Sequence, residues 1–87
     1  STLAVKNRIQ AELLRLANLA SREGKSARII PAPTHVEIAS RVSTHREAVT
    51  RELNRLCRIG IAERQGSALL VKDIERLAEM VHEATGE

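Results

Sequence analysis

The side chains with the greatest capacity for directed binding are concentrated between residues 44 and 58. A helical wheel at roughly 100° per residue places an apolar side, made by Val49, Leu53 and Leu56, opposite a polar side. The polar side consists of Glu47, Thr50, Arg51, Asn54 and Arg58. Guanidinium forks match the O6 and N7 acceptors of guanine, and carboxylates accept from the amino group of cytosine. Such a helix is suited to lie against a DNA duplex.

This helix is the second of two short helical patterns within residues 34–60. Each pattern begins with the T-x-x-E arrangement of a capping box, in which side chains satisfy backbone donors at the start of a helix. The two boxes are Thr34 with Glu37 and Thr44 with Glu47. They predict two separate helices, the second over about 44–59.

The residues between the two boxes suit a steep crossing and a tight turn. Ala39 is small enough to lie where the two helices touch, and Ser43 falls in the turn, where glycine is favoured because it accepts positive φ. The two helices share an apolar set that neither can bury alone: Ile38, Val42, Val49, Leu53 and Leu56. The pattern predicts a helix-turn-helix.

The flanking segments complete the fold. An amphipathic helix is predicted over residues 3–21, with Lys6, Arg8, Glu12 and Arg15 mostly away from its apolar side, and it is ended by the polar stretch S-R-E-G-K. Asp73 is predicted to cap a final helix. A short edge strand is predicted over 27–30, before Pro-Ala-Pro. Two further strands, 61–65 and 68–72, flank Gly66-Ser67, a type II′-like hairpin signal. This order predicts a small α+β winged helix-turn-helix domain with about four helices, a short antiparallel sheet and the 61–72 hairpin as wing.

Composition limits the function classes. The 87 residues suffice for one domain with a small core, and the net charge is +3. A single cysteine fits an intracellular compartment. No apolar run reaches the length of a membrane span. The chain has no Phe, Tyr or Trp, which excludes recognition of single strands by base stacking on aromatic rings. We therefore expect duplex DNA as partner, and no membrane.

Other reactive side chains give no sign of catalysis or of a metal site. His35, His45 and His82 are too scattered for a zinc ligand set and are predicted to be surface residues, with a phosphate-binding role only for His45. Cys57 is interpreted as a small buried hydrophobe rather than a redox sensor, and Met80 as helix packing. No nucleophile–base pair lies at helical spacing, and no glycine-rich phosphate loop is present. We expect no enzyme activity.

Several stretches resemble the C-terminal DNA-binding domain of the Crp/Fnr family of bacterial transcription regulators. The most specific is R-E-A-V-T-R at residues 46–51, which is similar to the family's R-E-T-V-x-R recognition-helix signature. The preceding E-I-A, the following L-x-x-L-x-x-x-G and the terminal D-I-E-R-L extend the likeness over almost the whole chain. Two departures are Ala48, where threonine is common, and Ser43, where the turn usually carries glycine. The resemblance implies one DNA-binding domain over residues 1–87, from a longer regulator.

The resemblance also implies roles for residues and for the rest of the protein. By the match to the signature, Arg46, Glu47 and Arg51 are the base-contacting residues. The absent N-terminal part is expected to be a cyclic-nucleotide-binding-like sensor for a cyclic nucleotide or another effector, so no cofactor is expected in this chain. The full-length protein is expected to be a cytoplasmic homodimer that grips two half-sites ~34 Å apart, with RNA polymerase as a further partner.

Phosphate contacts are expected around the recognition helix, because helix starts and hairpins approach the DNA backbone and favour anions. The predicted phosphate-contacting residues are Ser43, Thr44, His45, Thr50, Arg55, Arg64 and Ser67, with Gln65 and Lys72 as further candidates on the hairpin. Their role is to position the domain without specifying sequence.

Plainer interpretations of these residues remain open. Glu47 serves as a helix cap in one of them, and Arg51, Arg55 and Arg58 form a solvated face that pairs with Glu47 or Glu52, each pair contributing ~0.3–0.5 kcal/mol. A winged helix can also bind another protein, with its arginines meeting acidic side chains, because the fold alone does not decide function. Sequence preference among duplexes and a linear loss of log affinity with log salt distinguish a DNA reader from such a module.

Overall fold

The computed structural model describes residues 4–85 and confirms the α+β winged helix-turn-helix fold. Its elements, in chain order, are α1 (Val5–Leu19), β1 (Ser21–Glu23), β2 (Ser26–Ile29), α2 (His35–Arg41), α3 (Arg46–Arg58), β3 (Ala62–Gln65), β4 (Ala68–Val71) and α4 (Ile74–Thr85). The four strands form one antiparallel sheet in the order β1-β2-β4-β3. The helix-turn-helix, α2 and α3, lies between the two hairpins of this sheet in the chain.

The first helix is shorter than predicted, and the polar stretch after it folds differently. The predicted range 3–21 includes residue 3, which lies outside the described residues; α1 begins at Val5 and ends at Leu19. Ala20 has extended backbone angles and Ser21 pairs with Arg28, because hydrogen bonds to β2 replace a further helical turn. The S-R-E-G-K stretch therefore forms β1 and a turn, with Gly24 at a φ of 63°. The helix does end before this stretch, as predicted, but the strand that the stretch forms was not predicted.

The predicted edge strand 27–30 is also placed differently. β2 lies inside the sheet, where it pairs with β1 on one side and with β4 on the other. Proline follows the strand without belonging to it, so each residue of Ser26–Ile29 keeps the backbone N–H that a ladder needs. The edges of the sheet are β1 and β3.

The core lies between the helices and the sheet. α1 contributes Ile9, Leu13 and Ala17, and α4 packs against it with Ile74 and Leu77. The remaining core residues come from the helix-turn-helix, the strands and the loop before β3: Ala27, Ile29, Ile38, Ala39, Val49, Leu53, Leu56, Ile61, Ala62, Leu69 and Val71. Met80 packs against this core from α4, as predicted. Burial of the shared apolar set therefore holds α3 in a defined orientation on α1 and α2.

The helix-turn-helix has the predicted turn but only one of the predicted capping boxes. Ala39 is buried at the crossing, and Ser43 has a φ of 58°, the left-handed conformation that the turn requires. The Thr34 box is complete, with both reciprocal bonds to Glu37. The second box is wrong, because the Thr44 N–H is donated to the Ala39 carbonyl and His45 becomes the N-cap of α3.

This displaced start changes the position of Glu47. With His45 as N-cap, α3 begins at Arg46, and Glu47 is the second helical residue rather than the third, which a capping box requires. At the opposite end of the domain, the predicted cap of α4 is confirmed: the Arg76 N–H is donated to Asp73 Oδ1 over 3.0 Å. The wing hairpin turns at Gly66, whose φ of 59° is the positive value expected of a type II′-like turn.

Candidate nucleic-acid interface

The outward side of α3 carries the side chains predicted to face DNA. Its exposed residues are Arg46, Glu47, Arg51, Asn54 and Arg58. Val49 and Leu56, on the opposite side, are 0% exposed and pack against the rest of the domain. The structure therefore confirms the predicted division of the helix, except that Thr50 is half-buried.

The cationic side chains that remain unpaired are concentrated beside this surface. Within residues 4–85, the cations that make neither a hydrogen bond nor an ion pair are Lys6, Arg28, Arg46, Arg51 and Arg58. Lys6 lines an open groove between α1 and α3 together with Arg51 and Arg58. Only Arg28, on β2, lies away from the recognition helix. An unpaired guanidinium keeps all its donors for an external acceptor, and no internal bond must break first.

Arg55 differs from the other arginines of α3. Its Nε and Nη2 donate to the two carboxylate oxygens of Glu52 over 3.0 and 2.8 Å, which confirms the plainer interpretation of pairing for this residue. Glu52 is only 5% exposed and also accepts from Gln10 Nε2 over 2.8 Å. Gln10 is itself buried on α1. The network fixes α3 against α1 and leaves Arg55 with its remaining N–H groups on the groove.

A second buried acid was also not anticipated. Glu12 was predicted to lie away from the apolar side of α1, yet it is only 9% exposed. Its Oε2 forms ion pairs with Arg15 Nη2 at 2.8 Å and with Arg41 Nε at 3.0 Å. The hydrogen bond from Arg15, followed by the charges of both guanidinium groups, lowers the pKa of the Glu12 carboxyl despite its burial. Because Arg41 ends α2, this cluster joins the first helix of the motif to α1.

The start of α3 presents polar groups without an internal cap. Ser43 and His45 are exposed, Thr44 is half-buried, and no side chain among residues 4–85 caps the helix. Arg8, from α1, donates to the Val42 carbonyl over 3.1 Å and to the Ser43 carbonyl over 3.4 Å. The sequence predicts Arg8 on the polar side of α1, whereas in the structure its hydrogen bonds hold the turn that precedes and orients α3.

The wing is joined directly to α3. Arg64 of β3 donates to Asn54 Oδ1 over 2.8 Å, and its other terminal nitrogen lies 3.7 Å from the half-buried Cys57 Sγ. Ser67 is exposed at the hairpin tip. The other two predicted phosphate-contacting residues of the hairpin are bound by Glu63. Its carboxylate accepts a hydrogen bond from Gln65 Nε2 over 3.0 Å and forms an ion pair with Lys72 Nζ over 3.7 Å. Arg64 and Ser67 thus remain at the edge of the α3 surface, while the carboxylate of Glu63 partly neutralises Lys72.

His35, at the start of α2, lies next to α3, a position that the sequence did not reveal. Its Nδ1 is 2.7 Å from Thr50 Oγ1, and the Thr50 hydroxyl donates to the Arg46 carbonyl over 3.1 Å. Burial, followed by the charges of Arg64 and Arg46, lowers the pKa of the His35 imidazole. His35 therefore belongs to the same surface as the predicted contact residues.

The described part of the chain offers no arrangement for a metal ion, since residues 4–85 contain no group of three or more His, Cys, Asp or Glu side chains at suitable positions. No helix in this range combines the length and apolar character needed to cross a membrane.

Comparison with known proteins agrees with the helix-turn-helix fold. Residues 7–80 match the family model described as the Crp-like helix-turn-helix domain. TTHA1359, a transcriptional regulator of the CRP/FNR family from Thermus thermophilus, is 32% identical, with a TM-score of 0.78 over 95% of this chain and 43% of that chain. CooA, a CO-dependent transcription factor from Carboxydothermus hydrogenoformans, is 27% identical, with a TM-score of 0.76 over 87% and 36%.

Reduced CprK has a TM-score of 0.80 at 20% identity, over 92% of this chain and 39% of that one, a likeness of fold alone. The chain spans about two fifths of the length of these solved proteins. No curated protein sequence matches it.

Proposed function

This chain belongs to the Crp-like helix-turn-helix domain family, and we propose that it binds duplex DNA sequence-specifically, with α3 in the major groove and the β3–β4 hairpin as a wing. The observation that carries this proposal is a set of arginines on the exposed side of α3 that have no partner within the described range, 4–85: Arg46, Arg51 and Arg58. Elsewhere in the described residues, Arg15, Arg41 and Arg76 pair with carboxylates. A surface that keeps its guanidinium groups unpaired is suited to an external polyanion.

Arg46, Glu47 and Arg51 are the proposed base readers. They occupy the first two turns of α3, which enter the groove in the docking geometry of a helix-turn-helix. The two arginines have the donors to bind guanine, and the exposed carboxylate of Glu47 can accept from a cytosine amino group. Glu47 makes no capping hydrogen bond at the start of α3, so its carboxylate oxygens keep their acceptor capacity for a base.

The proposed phosphate contacts surround these readers. Ser43, Thr44 and His45 lie at the uncapped start of α3, where backbone N–H groups and the helix dipole favour an anion. On the wing, Arg64 and Ser67 are exposed. Thr50 and Arg55 are half-buried and already have hydrogen-bond partners within the domain. They would contact phosphate while keeping these partners, Thr50 through its hydroxyl group and Arg55 through its remaining guanidinium N–H groups. These contacts set the register of the domain on DNA.

The family also motivates proposals for the protein beyond this chain. We place the domain at the output end of a CRP/FNR-type cytoplasmic transcription regulator, with an N-terminal sensor that binds an effector. A homodimer would present two α3 helices to half-sites about one helical turn apart. RNA polymerase is the proposed further partner. A single copy of the domain would bind more weakly, because the second half-site then gains nothing from effective concentration. A protein-binding winged helix is not favoured, given the family and the unpaired arginines.

The test begins with selection of a preferred duplex from a random library, followed by affinity measurements on single-base variants of it at two salt concentrations. Arg51→Ala should cost ~1–3 kcal/mol, about 5- to 150-fold, and relax the preference at one base pair. Arg64→Ala should weaken all duplexes alike and reduce the salt slope by ~1. Arg28→Ala is the matched control, because this exposed and unpaired cation lies on β2 and should leave both quantities unchanged.

Two outcomes would contradict these assignments. If Arg51→Ala and Arg64→Ala lowered affinity for every duplex by the same factor, Arg51 would not read a base. If Arg28→Ala weakened binding as much as Arg51→Ala, net charge rather than the α3 surface would explain the binding.

A further inference from the structure

We propose that His35 is a ligand for a phosphate of the DNA backbone and binds it in the protonated form, so that DNA binding takes up a proton at this residue. The inference rests on the proposed function, because it identifies a further contact on the same surface. It assigns a role to a histidine that sequence reasoning treated as an ordinary surface residue.

The hydrogen bonds of His35 define which ring nitrogen is available. Thr50 has one hydroxyl proton, and that proton is directed to the Arg46 carbonyl, 3.1 Å away. With the hydroxyl proton in that bond, the histidine is the donor, from Nδ1, in the contact of 2.7 Å between Thr50 Oγ1 and His35 Nδ1. Nε2 carries the lone pair of the neutral ring and has no hydrogen-bond partner among residues 4–85. On protonation, Nε2 becomes a charged donor that an anion can accept from.

The surroundings of His35 contain cations from two other elements. Arg46 comes from α3 and Arg64 from β3, where its bond to Asn54 holds it near the same place. Both guanidinium charges act on the imidazole, and together with partial burial they favour its neutral form in the free protein. His35, Arg46 and Arg64 thus form a positively charged corner between α2, α3 and the wing.

The acids of the adjoining elements are engaged elsewhere. Glu37, the only acid on α2, accepts from the Thr34 backbone in the capping box. Glu63 of β3 is bound to Gln65 and Lys72. Glu12 of α1 pairs with Arg41 at the far end of α2. Glu47 on α3 is exposed, and it is not among the charges that shift the His35 pKa. Among the described residues no acid is hydrogen-bonded or ion-paired to His35, Arg46 or Arg64, which leaves this corner open to an external anion.

A phosphodiester supplies that anion. An opposite charge within about 4–6 Å stabilises the imidazolium and raises its pKa, offsetting the effect of the two arginines. The pKa of His35 is then higher in the complex than in the free domain. Affinity for DNA must increase as pH falls between the bound and the free pKa, by at most about tenfold per pH unit for one proton. At pH values above both, the contribution disappears.

Affinity for the selected duplex, measured from pH 8 to pH 5.5 at constant ionic strength, tests this coupling. In the unchanged chain we expect affinity to increase several-fold as pH falls. His35→Gln should remove the part of this increase that comes from His35, because glutamine can donate to Thr50 but does not titrate. His82→Gln on α4 is the control and should retain the full increase. His45→Gln should lower the overall affinity, because His45 is another proposed phosphate contact, and should keep the part of the increase that comes from His35.

Two measurements on the unchanged chain keep the test independent of any variant that fails to fold. Imidazole NMR should show the His35 pKa rising when DNA is added, and the chain has only two other histidines to resolve. Calorimetry in two buffers of different ionisation enthalpy should show uptake of up to one proton.

A pH dependence that is undiminished in His35→Gln or entirely lost in His45→Gln would overturn the inference, as would an unchanged His35 pKa in the complex, while leaving the proposed function intact. Failure of the unchanged chain to bind any duplex at any pH would overturn both.

Discussion

Replacing Ser43 by glycine should stabilise the domain. Ser43 has a φ of 58°, and the left-handed conformation costs an L-residue about 1–2 kcal/mol. Its side chain is exposed and makes no hydrogen bond within residues 4–85, and the two Arg8 bonds to the turn involve backbone carbonyls that glycine retains. Glycine also increases the conformational entropy of the unfolded chain, which reduces this stabilisation by about 0.4–1 kcal/mol. The net gain in the free energy of unfolding should be about 0.5–1 kcal/mol.

Thermal and urea unfolding measure this gain directly. For a domain of this size 1 kcal/mol corresponds to a shift in Tm of about 4–8 °C, so Ser43→Gly should raise Tm by about 2–8 °C. Ser40→Gly is the matched control, because Ser40 is exposed within α2 at helical backbone angles. It should cost about 0.5 kcal/mol, since glycine is a poorer helix former than serine. A Tm that falls equally in both variants would refute the argument that the turn is strained.

The same variant separates stability from binding. The Ser43 hydroxyl is a proposed phosphate contact, so Ser43→Gly should weaken all duplexes by the same small factor while the domain becomes more stable. Affinity that rises together with Tm would show that the hydroxyl makes no such contact and that the turn alone limits binding.

Three further predictions concern stability. Asp73→Ala should lower the free energy of unfolding by about 1 kcal/mol in urea titrations, and Asp73→Asn by less, because asparagine still caps α4. Thr34→Ala should cost about 1 kcal/mol by removing the capping box, and an unchanged urea midpoint would show that the box contributes nothing. The hydrogen bond from Arg15 lowers the Glu12 pKa below its ordinary 4.5. The resulting stabilisation is complete above about pH 4.5 and is lost as pH falls through the lowered pKa. Glu12→Gln should therefore flatten the dependence of stability on pH between 5 and 3.

The helix-turn-helix was predictable because its signals are local. The Thr34 box, the small Ala39 and the turn at Ser43 act over a few residues, and each is found where the sequence predicted it. The second capping box did not form, because the Thr44 N–H donates to the Ala39 carbonyl within the turn. A T-x-x-E pattern indicates where a helix can begin, but the geometry of the preceding turn determines the residue at which it begins.

β1 was missed for a different reason. The S-R-E-G-K stretch is polar and exposed, so it has no apolar alternation by which a strand could be identified. Its extended conformation comes from backbone pairing with β2, whose own signal was a short apolar run. Such pairing depends on the neighbouring strand in the folded structure more than on the residue types of β1 itself.

The amino-acid sequence by itself determined most of the order of helices and strands, the helix-turn-helix motif and which side of α3 is exposed. These features depend on capping, periodicity and turn chemistry, which act between residues close along the chain. Which cations remain unpaired was decided only by the tertiary structure. Gln10 meets Glu52 across 42 residues, and His35 meets Thr50 across 15. Local patterns do not encode such distances. Only the fold showed that Arg55 is bound by a buried Glu52, whereas Arg51 has no partner among residues 4–85.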